Sequence, residues 1–182
     1  GPPCQETWLK EKLNKIPAAI KNYQTASTSF DEDKNGYINK NDALRLSSNT
    51  VIKEKAILQN LNTNVQNNNN IDAAENYSQL AEVQLENNKP QEAGISLQNA
   101  YKKSIAEKPT DAIKYNDKLA DLYVQNKDFD KAIAVKKEVL KEKYVQENSQ
   151  EQVNQIQNLA KIYIEKNDPK EAERLLQNAF EI

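Results

Sequence analysis

One stretch of the 182-residue chain gathers side chains that could do metal chemistry: Asp31-Glu32-Asp33-Lys34-Asn35-Gly36-Tyr37-Ile38-Asn39-Lys40-Asn41-Asp42. It is dense in carboxylates and amides, the oxygen donors that hard cations prefer. Other chemistries lack their parts. There is no His anywhere, so the usual neutral-pH general base and the commonest metal ligand are both missing. Glycine occurs only as Gly1, Gly36 and Gly94, which excludes a glycine-rich phosphate cradle. The single cysteine, Cys4, excludes an internal disulfide and a cysteine-cluster metal site. An enzyme is not expected.

Charge and hydropathy narrow the field further. Lys and Arg number 25 against 27 Asp and Glu, a net charge of −2, so no bulk attraction to nucleic acid or anionic membrane is expected. Pairs such as Lys102-Lys103, Lys136-Lys137 and Lys141/Lys143 alternate with acids at helical spacing. They read as a solvated outer face. No run approaches the roughly 20 apolar residues of a membrane-spanning helix. The chain lacks Met and opens on Gly1-Pro2, which looks like the scar of a cleaved tag, so a piece of a longer protein is expected. Cys4 reads either as a plain thiol in a loose terminus or as the acylated start of a lipoprotein.

The elements that must position any site are announced by a phrase that occurs three times. Glu86-Asn87-Asn88-Lys89-Pro90-Gln91-Glu92-Ala93, Gln125-Asn126-Lys127-Asp128-Phe129-Asp130-Lys131-Ala132 and Glu165-Lys166-Asn167-Asp168-Pro169-Lys170-Glu171-Ala172 are variants of one turn. Each follows a bulky–small pair, Leu80-Ala81, Leu119-Ala120 or Leu159-Ala160, and the phrases recur after 39 and then 40 residues. That period belongs to arrays of helical hairpins. In the third repeat Val153, Ile156, Leu159, Ala160, Tyr163 and Ile164 form one apolar stripe, and the next helix is expected to bury Ala172, Leu175, Leu176, Ala179 and Phe180. The middle repeat offers Ile113, Leu119, Ala120, Leu122 and Tyr123, then Phe129, Ala132, Ile133, Val135, Val139 and Leu140. The first offers Tyr77, Leu80, Ala81, Val83 and Leu85, then Ala93, Ile95, Leu97, Ala100 and Tyr101. Ser149 with Gln152 and Asp72 with Glu75 have capping-box spacing, and Asp168, Pro169 and Glu171 fit N-cap, N1 and N3.

Over residues 71–182 the chain resembles the tetratricopeptide repeat. The pairs above, with Tyr123 and Tyr163 following, match helix A of that family; Ala93/Ala100, Ala132/Val139 and Ala172/Ala179 match the small residues of helix B. Small side chains there let antiparallel helices approach closely. The period exceeds the family's usual 34 residues, and Val139 in place of a small residue is expected to loosen one contact. The resemblance implies an all-α, right-handed superhelical array with hairpins at about 71–108, 109–147 and 148–182. Before it, residues 1–66 read as an atypical helical segment with a degenerate first hairpin (Trp8, Leu9 and Leu13, then Pro17 to Ala26) and a helix from Val51 to Leu61. Asn67 to Asn70 read as a loop.

The same resemblance implies a groove lined by helix A: Glu75, Ser78, Glu82, Leu85 and Glu86, then Lys114, Asp117, Asp121, Val124 and Gln125, then Asn154, Gln157, Lys161, Ile164 and Glu165. Six of these are acids and two are lysines, so the groove is expected to be acidic. A chaperone-tail clamp needs Lys and Asn where Ser78/Glu82 and Asp117/Asp121 stand, and is disfavoured. Reversing Glu82, Glu86, Asp117 and Asp121 to Lys is expected to abolish binding at little cost in stability. The alternative is that these charges only keep a concave face soluble.

The 31–42 stretch resembles the twelve-residue EF-hand loop. That resemblance implies calcium ligands at Asp31, Asp33, Asn35, the Tyr37 carbonyl and Asp42, with a water near Asn39, a sharp turn at Gly36 and a core-facing Ile38. Position twelve holds Asp rather than Glu, the exiting helix is cut short by Ser47-Ser48-Asn49-Thr50, and no second loop is present to pair with. A plain polar turn is the alternative reading. No other cofactor is expected.

These features predict a non-catalytic module that binds a protein or peptide, with no nucleic acid and no membrane contact of its own. The repeat style also resembles the sensory region of bacterial tetratricopeptide sensor histidine kinases, which implies sensing in the periplasm or outside the cytoplasm. The alternative is a stand-alone intracellular scaffold or adaptor, then cytoplasmic. The last helix runs out on Phe180 and Ile182 without Gly, Pro or a closing run of charges, so further sequence beyond it, or self-association through it, is expected.

Overall fold

The computed structural model describes residues 50–182. The EF-hand-like loop, Cys4 and the degenerate first hairpin lie outside the described residues. Those that are described form helices and no strand: α1 (Thr50–Gln66), α2 (Asn70–Glu86), α3 (Pro90–Ser104), α4 (Pro109–Gln125), α5 (Phe129–Leu140), the single turn α6 (Lys143–Gln146), α7 (Ser149–Glu165) and α8 (Pro169–Phe180). Each long helix packs on the ones before and after it in sequence. The result is an array of antiparallel hairpins.

The recurring phrase works as a helix terminator. Asn88, Lys127 and Asn167 adopt left-handed backbone with φ of 59°, 60° and 70°. The next N–H, from Lys89, Asp128 or Asp168, donates to the carbonyl of Gln84, Tyr123 or Tyr163 at 2.8 Å. The left-handed residue itself donates to Leu85, Val124 or Ile164. This pair of bonds satisfies helix-end carbonyls that would otherwise be orphaned, the Schellman arrangement. The Asn run is a fourth copy: Asn68 has φ 57°, and Asn69 donates to Asn64 O at 2.9 Å. The turn therefore takes only 67–69, and Asn70 is already helical. With Ala73 fully buried five residues after Asn68, as Ala93 is after Asn88, the motif begins one helix earlier than three copies suggest.

Capping differs in detail. At α7 the cap is Asn148, whose side chain accepts from Glu151 N at 3.2 Å, and Ser149 is the first helical residue. At α2 the residue before the helix is Asn69, with no side-chain cap, so Asp72 sits inside the first turn. Asp168 does cap α8, accepting from Glu171 N at 3.3 Å with Pro169 next.

One continuous core runs through α2, α3, α4, α5, α7 and α8. It is built from Ala81, Ala93, Ala120, Ala132, Ala160 and Ala172 interleaved with Leu97, Leu119, Leu122, Ile133, Leu159 and Tyr163. The small residues set the close helix approach, and the large ones fill the layers between. A second cluster closes the opposite end of the hairpins, where Tyr101, Ala112 and Ile113 pack on Val139 and on Val145 of α6. Val139 is fully buried there, its bulk part of this cluster. Four residues expected on the apolar stripes lie outside the core: Leu85, Ile95, Ile164 and Phe180 are exposed, Phe180 by 92%. In α8 only Ala172 is buried.

Candidate functional site

The groove is set by helices α2, α4 and α7, whose shared face is flanked by three cavities. The first, about 280 Å³, lies between α4, α5 and α7 and is lined by Asp117, Asp121, Val124, Lys136, Lys161 and Glu165 among others. The second, about 260 Å³ and more apolar, lies between α2, α3 and α4, with Ser78, Glu82, Leu85, Leu97, Lys118, Asp121, Leu122 and Gln125. The third, about 460 Å³, runs between α4 and α7, with Lys114, Asp117, Asn154, Gln155 and Gln157. Asp121 is shared by the first two and Asp117 by the first and third.

Ten of the twelve polar groove positions named from the sequence thus line cavities: Ser78, Glu82, Lys114, Asp117, Asp121, Gln125, Asn154, Gln157, Lys161 and Glu165. Glu75 and Glu86 line none of them. Glu86 lies 4.0 Å from Lys53 of α1, so its charge is turned toward the preceding helix. Glu75 is exposed and acts on Tyr115, whose phenol is pushed up by burial, by Asp111 and by Glu75.

The main correction concerns Lys136. Placed by sequence on the solvated face, its side chain is buried at 2% exposure. Its ammonium donates to Asn116 Oδ1 and Gln155 Oε1, each at 3.0 Å, and pairs with Asp117. Asn116 Nδ2 donates on to the Val135 carbonyl at 3.1 Å, and Gln155 Nε2 to Glu151 Oε1 at 2.9 Å. Asn116 and Gln155 are themselves buried, so the network is satisfied on every side, as buried polar groups must be. The signal was present: Lys136 falls four residues after Ala132 and three before Val139, on the buried stripe. Asn116 and Gln155 occupy stripe positions ahead of Leu119 and Leu159. Lys137, Lys141 and Lys143 are exposed, as expected of an outer face.

This network changes the electrostatics of the groove. Asp117 is partly neutralised by Lys136, and reversing it to Lys would set two ammonium groups together. That substitution cannot be structurally silent. Glu82 has a partner 3.9 Å away in Lys118. Asp121 has no hydrogen bond or ion pair among the described residues. Its carboxyl is held above the usual aspartate range by desolvation; the Lys136 charge pulls it down and Asp117 pushes it up again.

Elsewhere Tyr101 ties the far end of the hairpins together, its hydroxyl donating to Glu142 Oε1 at 2.8 Å. Burial and that carboxylate push the phenol well above its ordinary value. Among the described residues no group of three or more Cys, Asp or Glu side chains is placed to hold a metal ion, and no helix is long and apolar enough to cross a membrane.

Residues 62–182 match one family model, described as SNAP, soluble NSF attachment protein. No curated protein and no solved structure matches the chain.

Proposed function

Because the chain belongs to the soluble NSF attachment protein family, a family of non-catalytic helical-repeat adaptors, we propose that it is an adaptor whose α2–α4–α7 face holds a protein or peptide partner. The observation that carries this reading is the run of three adjoining cavities along that face, which share Asp117 and Asp121. An array that buries its core between successive hairpins leaves one long face free, and such faces suit extended partners. The family is named for attachment to NSF, which fits a part that holds one protein against another. An adaptor of this kind would work in the cytoplasm.

A sensory role within a larger signalling protein would use the same face, with the partner acting as the signal and the array lying outside the cytoplasm. The gene sequence flanking the array separates the two settings. The 31–42 loop would add a calcium site in either case.

Photo-cross-linking tests the groove. A photoreactive residue in place of Gln125 or Gln157, both exposed and lining cavities, should cross-link a protein that the same residue at exposed Lys102 on α3 does not. Glu82→Lys with Asp121→Lys should abolish that product. Cross-links from Lys102 alone, or groove products indifferent to the reversals, would overturn the reading.

A further inference from the structure

The class of partner can be narrowed further, resting on the groove reading above. Asp121 stands where the first two cavities meet, and among the described residues it has no hydrogen bond or ion pair. On one side of it Ala81, Leu85, Leu97 and Leu122 make an apolar wall. On the other side Ala120, Val124 and Ile162 are the apolar part of a cavity lined mainly by Asp117, Asp121, Lys136, Asn158, Lys161 and Glu165. Leu85 is 43% exposed on the rim of its cavity. Leu85, Val124 and Ile164 hold the same place in the three repeats, three residues before the left-handed residues Asn88, Lys127 and Asn167. The repeat therefore sets them in a row along one edge of the face, and Leu85 and Ile164 stay exposed.

Of the charges beside this row, Asp117 is paired with Lys136 and Glu82 has Lys118. Among the described residues Asp121, Lys161 and Glu165, which line the first cavity, carry no hydrogen bond or ion pair, so the charges left over there are two acids and one lysine. A wholly apolar occupant would cover Asp121 and leave a desolvated carboxylate unpaired, which is costly. An acidic occupant, whether phosphate backbone or anionic lipid, would meet Asp121 as a like charge.

We infer that the groove takes an amphipathic peptide segment of a protein partner, which sets one lysine or arginine against Asp121, one apolar side chain into the second cavity and another beside Val124 at the edge of the first. The cation supplies register, and the two apolar contacts supply most of the buried area. An arginine fits at least as well as a lysine, since its fork can bind a carboxylate through two bonds.

The test uses the full chain and synthetic fluorescein-labelled peptides. In one set a lysine is flanked by two leucines at helical spacings of about three to four residues. Matched sets carry glutamate for the lysine, or alanine for the leucines. The lysine–leucine set should bind at least about tenfold tighter than either control, because the glutamate peptide meets Asp121 as a like charge and the alanine peptide loses the apolar contacts. Asp121→Asn should erase the preference for lysine over glutamate, and Asp121→Lys should reverse it. Leu85→Ser should weaken the leucine dependence while leaving the lysine preference in place. Circular dichroism confirms that each variant is folded. Equal binding of the lysine and glutamate sets overturns the inference, as does a lysine preference that survives Asp121→Lys. Tighter binding to phosphatidylserine vesicles than to any peptide, or a self-dimer that competes with the peptides, overturns it too. If no peptide binds while the groove still cross-links a protein, this inference fails and the adaptor reading stands. If the groove cross-links nothing, the adaptor reading fails.

Discussion

Replacing Lys136 with Met is the sharpest probe of how the groove is built. Met keeps the apolar stem and removes three donors: those to Asn116, to Gln155 and to Asp117. Removing one partner of a fully buried pair costs about 3–5 kcal/mol, because the other charge is stranded. Here the stranded charge would be Asp117, whose side chain is 41% exposed and can turn to water. The loss therefore falls on the two buried amide oxygens, at about 1–3 kcal/mol each, less the relief of no longer desolvating an ammonium. A net destabilisation of about 2 kcal/mol follows, or a fall of about 4–8 °C in melting temperature for a chain of this size. Lys137→Met is the control. That neighbour is exposed over the Tyr163 ring at 6.0 Å, a contact worth at most about 1 kcal/mol. Adding Asn116→Leu and Gln155→Leu to Lys136→Met should recover part of the loss, since the two buried amide oxygens go with their donor, while the Val135 carbonyl and Glu151 lose the bonds those amides gave. Urea denaturation followed by far-UV circular dichroism measures all three. If Lys136→Met costs no more than Lys137→Met, the ammonium is reaching water and the argument from burial is wrong.

Asp121→Asn should melt higher than wild type at neutral pH, with the gain vanishing below the usual aspartate value of 3.8. The folded-state carboxyl is raised, so the native chain holds this proton more tightly than the unfolded one, and wild-type stability falls as pH climbs through that window; a pH-independent difference in melting would contradict it. Gly94→Ala should stabilise the chain by about 1 kcal/mol on helix propensity. A Cβ there meets Tyr123 Oη, Leu119 Cδ1 and Leu122 Cδ2 at 3.6, 3.7 and 3.8 Å, ordinary contact distances, and a drop in melting temperature would show that α4 must shift. Lys127→Gly should stabilise by roughly 1 kcal/mol, because φ of 60° strains any residue with a Cβ; chemical denaturation showing a loss would mean that the Lys127 side chain has a role of its own. The 31–42 loop is expected to bind calcium only weakly, with a dissociation constant of about 10⁻⁴ to 10⁻³ M. Calorimetric titration of wild type against Asp31→Ala reads this directly, and the absence of heat at millimolar calcium leaves the polar turn.

What the sequence determined by itself was local. The Leu-Ala pairs, the seven-residue Ala spacing and the turn phrase specify helix, hairpin and repeat through contacts within a few residues. The phrase ends its helix by bonds spanning only three to five positions, so it is legible wherever it occurs. The Asn67–Asn70 run hid a fourth copy only because its side chains differ, while its backbone does the same. Tertiary structure alone decided what lies across from each stripe. Lys136 sits on a buried stripe in sequence, but a buried cation is tolerable only if oxygens reach it. Those oxygens come from Asn116 and Asp117, about twenty residues before it, and from Gln155, nineteen after it. Ile95 and Phe180 fit the apolar pattern equally well, yet no helix among the described residues covers them. Partner choice in the groove depends on the same long-range facts. Asp117 and Asp121 are both helix-A acids in the sequence, and only the packing of α4 against α5 ties up the first and leaves the second without a partner among the described residues.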